Sequence, residues 1–169
     1  MVINGHALLS AEPIKDMVPH KNTNGDVSYG LGEAGYDIRI KQEVNFNPNN
    51  RDGHCIVRVW QDDENHSCEI GRFALASAIE EFQMPPHLMG IVHDKSTWAR
   101  RGLSVFNTVI EPGWKGFLTL ELVYHGHSEL IIPAGSGIAQ VVFHELACNS
   151  RYNGKYQNQE DQPVGPRQA

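Results

Sequence analysis

Apolar and polar side chains alternate one for one along residues 117–124, with Leu118, Leu120, Leu122 and Tyr124 on one side and Phe117, Thr119, Glu121 and Val123 on the other. A period of two is the signature of a strand with one covered face. Similar short segments recur at residues 36–40, 56–60, 73–79, 88–93, 129–132 and 138–145. Turn-forming Gly, Pro, Asn and His residues separate them. Helical periodicity is confined to a short stretch at residues 6–9, broken near Pro13, and to one turn after Lys95. Residues 22–35 and 45–53 are rich in Gly and Asn and read as loops, residues 62–67 as a polar turn, and Pro85-Pro86 closes the strand before them. Many short strands with one or two short helices predict a mainly β fold, a sandwich or barrel.

A chain of 169 residues with 40% hydrophobic and 20% charged residues suits one domain with a sizeable core. Residues 1–148 carry the strand pattern; residues 149–169 turn polar and Gly/Pro-rich and predict a tail. The apolar runs are too short for a membrane span and the start lacks a basic-then-apolar segment, so a cytoplasmic protein away from membranes is expected. Three widely spaced cysteines argue against a disulfide framework. The net charge of −6 argues against a nucleic-acid partner held by the whole surface field, so the cations that matter must act locally.

Lys95-Ser96-Thr97-Trp98-Ala99-Arg100-Arg101-Gly102 concentrates such cations beside two hydroxyls. On one helical turn Ser96 and Arg100 share a face, and hydroxyls with a guanidinium are what phosphate oxygens accept from. Gly102 suits a left-handed helix end. The same residues would also make a solvated surface helix capped by Ser96 and anchored by Trp98. Glu121 is a lone carboxylate opposite an aliphatic stripe. It is either a surface residue or, if desolvated beside a substrate, a general base. Zinc-deaminase, nucleophile-elbow and Walker-type patterns are absent from the sequence. His125 and His127 flank Gly126 at a turn between strands.

The segment Lys95–Arg100, then Ile110-Glu111-Pro112-Gly113-Trp114-Lys115-Gly116, Thr119-Leu120-Glu121, Gly137-Ile138-Ala139-Gln140 and Gly154-Lys155-Tyr156-Gln157-Asn158-Gln159, resembles in order the motifs of the dCTP deaminases, relatives of the trimeric dUTPases. Ser28-Tyr29-Gly30-Leu31 and Gly35-Tyr36-Asp37-Ile38-Arg39 resemble family segments upstream. The resemblance is close over residues 73–159 and patchy before. It implies a distorted jelly roll or β barrel, a homotrimer with active sites between subunits, and hydrolysis of dCTP to dUTP and ammonia. Mg²⁺ would accompany the triphosphate, with no catalytic metal and with dTTP a candidate inhibitor. It also implies Glu121, Ser96 and Arg100 as catalytic residues. Lys95, Ser96, Thr97, Trp98, Ala99, Arg100, Glu111, Thr119, Leu120, Glu121, Gln140, Tyr152, Lys155 and Gln159 would contact the nucleotide. Glu111 stands where many members carry Asp, and leans the expectation toward dUTP as product. A bifunctional deaminase–diphosphatase releasing dUMP, a plain dUTPase and a non-catalytic nucleotide-binding module remain as alternatives.

Overall fold

The computed structural model describes residues 1–49 and 52–168. In chain order the elements are β1 (Val2–Ile3), α1 (Gly5–Ala11), β2 (Lys21–Asn24), β3 (Val27–Leu31), β4 (Tyr36–Arg39), β5 (Glu43–Asn47), β6 (Ile56–Trp60) and β7 (His66–Ile70). Then follow β8 (Phe73–Gln83), β9 (Leu88–Asp94), α2 (Ser96–Ala99), β10 (Leu103–Val105), β11 (Val109–Ile110), β12 (Lys115–Tyr124), β13 (Leu130–Ile132) and β14 (Gly137–Glu145). The mainly β expectation holds, with two short helices. Among the described residues no helix is long and apolar enough to cross a membrane.

Three sheets share the core: β11-β9-β14-β4-β3-β2 with β1 on β14, β10-β12-β8, and β13-β5-β6-β7. All their pairings are antiparallel. The alternation read along residues 117–124 is realised: Leu118, Leu120, Leu122 and Tyr124 are buried, while Phe117, Thr119, Glu121 and Val123 are half-buried. β12 runs against β8 with Phe117 opposite Glu81 but Thr119 opposite Ser77, so β8 carries extra residues at that point. Such a bulge bends a strand and lets it leave one sheet for another. Here Ala78 bridges to Ile40, and Lys41 N–H donates to the Ser77 carbonyl at 2.8 Å. Glu80 lies on the buried face of β8, where its carboxylate accepts from Arg39 N (2.8 Å) and Arg39 Nε (2.9 Å). Burial raises the Glu80 carboxyl and the Arg39 hydrogen bonds oppose that shift.

Several local expectations are corrected. Residues 22–35 form no open loop: β2 and β3 make a hairpin, with Thr23 opposite Ser28. β5 runs to Asn47, shortening the loop expected at 45–53, of which residues 50 and 51 lie outside the described ones. The polar turn ends at Asn65, because His66 and Ser67 pair with Trp60 and Val59. The strand at 73–79 continues to Gln83, and the α2 cap is Lys95 rather than Ser96. Gly102 has φ of +87°, the left-handed end expected of it.

Candidate active site

Glu111-Pro112-Gly113-Trp114 is a turn in which Trp114 N–H donates to the Glu111 carbonyl at 3.1 Å. Gly113 has φ of +74°, the value a type II turn with proline before it demands. The turn delivers the chain into β12 and sets the Trp114 indole 6.0 Å from the Phe82 ring. Trp114 Nε1 then donates to the Tyr156 carbonyl at 2.7 Å, the first of several ties holding the C-terminal segment.

That segment docks along the start of β12. Tyr152 N–H donates to the Pro112 carbonyl (2.7 Å), Gln157 Nε2 to the Gly113 carbonyl (2.9 Å), and Lys115 N–H to Gln157 Oε1 (2.8 Å). Gln159 pairs with Gly116 as an isolated parallel bridge. A Cβ at Gly116 would stand 2.5 Å from the Gln159 nitrogen, so only glycine permits this approach. Gln159 is buried, its Nε2 donates to Thr119 Oγ1, and Val164 N–H donates to the same hydroxyl at 3.0 Å. Asp161 pairs with Lys41 at 2.5 Å.

Between β12, β8, the 108–111 segment and this docked tail lies a cleft of about 470 Å³. Phe73, Leu75, Val109, Ile110 and Leu118 make its apolar wall, and Glu121, Thr119, Glu111, Tyr152, Tyr156 and Gln159 bring polar groups to it. Val164, Gly165 and Pro166 lie along its edge. Glu121 faces Leu75 across the strands, and among the described residues no hydrogen bond or cation reaches its carboxylate. Desolvation alone raises its pKa above the ordinary carboxylate range. A half-buried, unpaired carboxylate on an apolar wall is what a proton-transfer group requires.

The other sequence-predicted residues are distributed as follows. Glu111, Thr119, Glu121, Tyr152 and Gln159 meet at the cleft. Leu120, on the opposite face of β12, is core. Trp98 is 2% exposed, and its Nε1 donates to the Gly137 carbonyl at 2.7 Å, so it anchors α2 rather than facing outward. Ser96, Ala99 and Arg100 are exposed and Thr97 half-buried, all away from the cleft wall. Lys95 turns inward to Asp37 and Ser28. Gln140 sits on β14 opposite Asp37 and His93. Lys155 is exposed, reaching the Arg167 carbonyl at 2.5 Å and lying 5.4 Å from the Tyr156 ring centroid. No sequence pattern marks Phe73, Leu75 or Val164–Pro166 as site residues. The first two lie on a recognised strand; the terminal residues carry no pattern. Among the described residues no three His, Cys, Asp or Glu side chains form a metal-binding group.

The architecture is that of the dUTPase-like fold. The dUTPase of EIAV superposes with a TM-score of 0.51 at 18% identity, covering 83% of this chain and 93% of that one. A dUTPase of Staphylococcus bacteriophage 80alpha gives 0.52 at 14% over 80% and 88%. The 2′-deoxycytidine 5′-triphosphate deaminase of Agrobacterium tumefaciens gives 0.54 at 14% over 86% of this chain and 48% of that one. Sequence narrows the class further. A model of the dCTP deaminase-like family matches residues 8–146. The dCTP deaminase of Campylobacter concisus (strain 13826) is 40% identical over 152 residues, 80% of each chain. That of Roseiflexus castenholzii is 37% identical over 158 residues, 86% of each. The chain belongs to the dCTP deaminase-like family.

Proposed function

We propose that the protein hydrolyses dCTP to dUTP and ammonia. The observation that carries this is Glu121, unpaired and desolvated on the wall of a nucleotide-sized cleft, in a chain of this family. Deamination needs water to add at C4 of the cytosine, a proton to reach N3, and the amino group to leave as ammonia. Glu121 takes the proton from water and passes it to the base, and the desolvation that raises its pKa strengthens it as a proton acceptor. Thr119 and Leu120 are the strand neighbours that set its direction, and Glu111 stands at the rim. Tyr152 and Gln159 close the nucleotide's side of the cleft. Mg²⁺ enters as part of the substrate, on the triphosphate oxygens.

Ser96 and Arg100 do not reach this cleft within one chain. The reading that unites them with Glu121 is a homotrimer, in which a neighbouring subunit's turn completes each site. Its Ser96 hydroxyl orients the water and its Arg100 stabilises the charge that builds on the adduct. The half-exposed Phe73, Phe106 and Val109 beside the cleft supply apolar surface for such a contact. Residues 149–169 act as a segment that covers the bound nucleotide, and the enzyme works in the cytoplasm.

Incubation with Mg·dCTP, followed by separation of dUTP, dUMP, pyrophosphate and ammonia, tests the reading. Ammonia and dUTP are expected in equal amounts. Pyrophosphate released in step with ammonia would replace it by the bifunctional reaction, and binding without turnover by a regulatory module.

A further inference from the structure

We propose that Asp37 is a positioning residue for the deamination, acting through Lys95 on the turn that carries Ser96 and Arg100; this rests on the function proposed above. Asp37 lies on β4 and is 5% exposed, while the Lys95 side chain is 10% exposed. The ammonium pairs with Asp37 Oδ2 and donates to Ser28 Oγ at 3.0 Å, and Ser28 Oγ in turn donates to Asp37 Oδ2 at 3.2 Å. Gly137 leaves room for the strand that carries Ser28, since a Cβ there would run into the Ser28 carbonyl.

Lys95 is the N-cap of α2, and no side-chain hydrogen bond caps that helix. A helix of four residues cannot hold its own position. Two buried anchors do so instead: Lys95 into Asp37 and Ser28 at its start, and Trp98 Nε1 into the Gly137 carbonyl one turn on. Among the described residues the side chains of Ser96 and Arg100 have no hydrogen bond or ion pair of their own. Their placement therefore follows from the cap. Lys95, matched by resemblance to a nucleotide-contacting position, has its ammonium directed into the protein rather than toward a triphosphate. Asp37 belongs to the Gly35-Tyr36-Asp37-Ile38-Arg39 motif, whose aspartate the proposed chemistry otherwise leaves without a role.

The test compares Asp37→Asn, Lys95→Met and the double variant, reading kcat with Mg·dCTP and, separately, Mg·dCTP affinity by calorimetry. Each variant is expected to lose about tenfold or more in kcat while affinity stays within about threefold, and the double variant to fall no further than either single one. Removing one member leaves a buried unpaired charge, and if that unfolds the single variants the neutral double decides alone by the same kcat loss. Undiminished kcat in a folded Asp37→Asn or double variant overturns the inference. So does a Lys95→Met variant that weakens triphosphate binding about tenfold at normal kcat, the behaviour of a direct phosphate ligand. A wild-type protein that leaves dCTP unchanged sinks the function reading itself, and this inference with it.

Discussion

The Thr119 hydroxyl accepts hydrogen bonds from both Gln159 Nε2 and Val164 N–H, the latter at 3.0 Å, and so joins the strand bearing Glu121 to the end of the chain. The carboxylate stands two positions further along the same face of β12. Whatever moves the tail therefore changes the wall beside Glu121.

A chain truncated after Ser150 should stay folded, because the buried core lies before it apart from Gln159, but should lose most of its dCTP turnover. Circular dichroism and steady-state kinetics check the two halves. Gly116→Ala, whose methyl would stand 2.5 Å from the Gln159 nitrogen, should raise KM by at least about fivefold through the same displacement. Wild-type kinetics in both proteins would remove the tail from the site.

Glu121→Gln is expected to bind Mg·dCTP normally and to lose about a hundredfold or more in kcat. The amide keeps the shape of the carboxylate and cannot carry the proton. Titration calorimetry beside a product assay separates the two effects, and turnover near that of the wild type would end the assignment.

Acidity should act on rate and stability in opposite senses at Glu121. As pH falls through its raised pKa the base is protonated and kcat declines. The folded chain holds that proton more tightly than the unfolded one, so stability falls as pH rises from the ordinary carboxyl range through the raised value. Glu121→Gln should therefore melt higher than the wild type at neutral pH, with the gain gone in acid below the ordinary range. Paired thermal melts across pH measure it; a gain that grows toward acid contradicts the sign.

Subunit mixing addresses the shared site. Glu121→Gln and Ser96→Ala chains are each expected to be inactive alone. Unfolded and refolded together in equal amounts, they should regain about a quarter of wild-type activity, since one site in each mixed trimer then holds both intact residues. A mixture as inactive as its parents would confine the site to a single chain.

The strands that sequence reveals are those with a covered face. Leu118, Leu120, Leu122 and Tyr124 announce β12 because water is excluded from one side only. β2 and β7 are exposed along their whole length, so they show no apolar alternation; most of β2 falls in the loop read at 22–35, and the start of β7 in the turn read at 62–67. The strand read at 73–79 stops short because Glu80 and Glu81 end the apolar run, although Glu80 stays on the buried face through its pairing with Arg39. The tail escapes recognition for a different reason: Gln157 and Gln159 dock by amide and backbone hydrogen bonds, which leave no trace in a hydropathy pattern. Glu121 and Thr119 were legible through the family resemblance. The inward turn of Lys95 was not, since Ser28 and Asp37 reach it only through tertiary pairing across 67 and 58 positions.

β14 stands at the centre of the largest sheet, paired with β1, β4 and β9. Synthesis supplies it after all three of these partners. Until Gly137–Glu145 emerges, β4 and β9 each present an open edge, and the hydrophobic centre formed by Ile138, Val141 and Phe143 is missing. Assembly of this sheet is thus governed by contacts spanning most of the chain, a topology that favours slow folding and keeps strand edges open until β14 is in place.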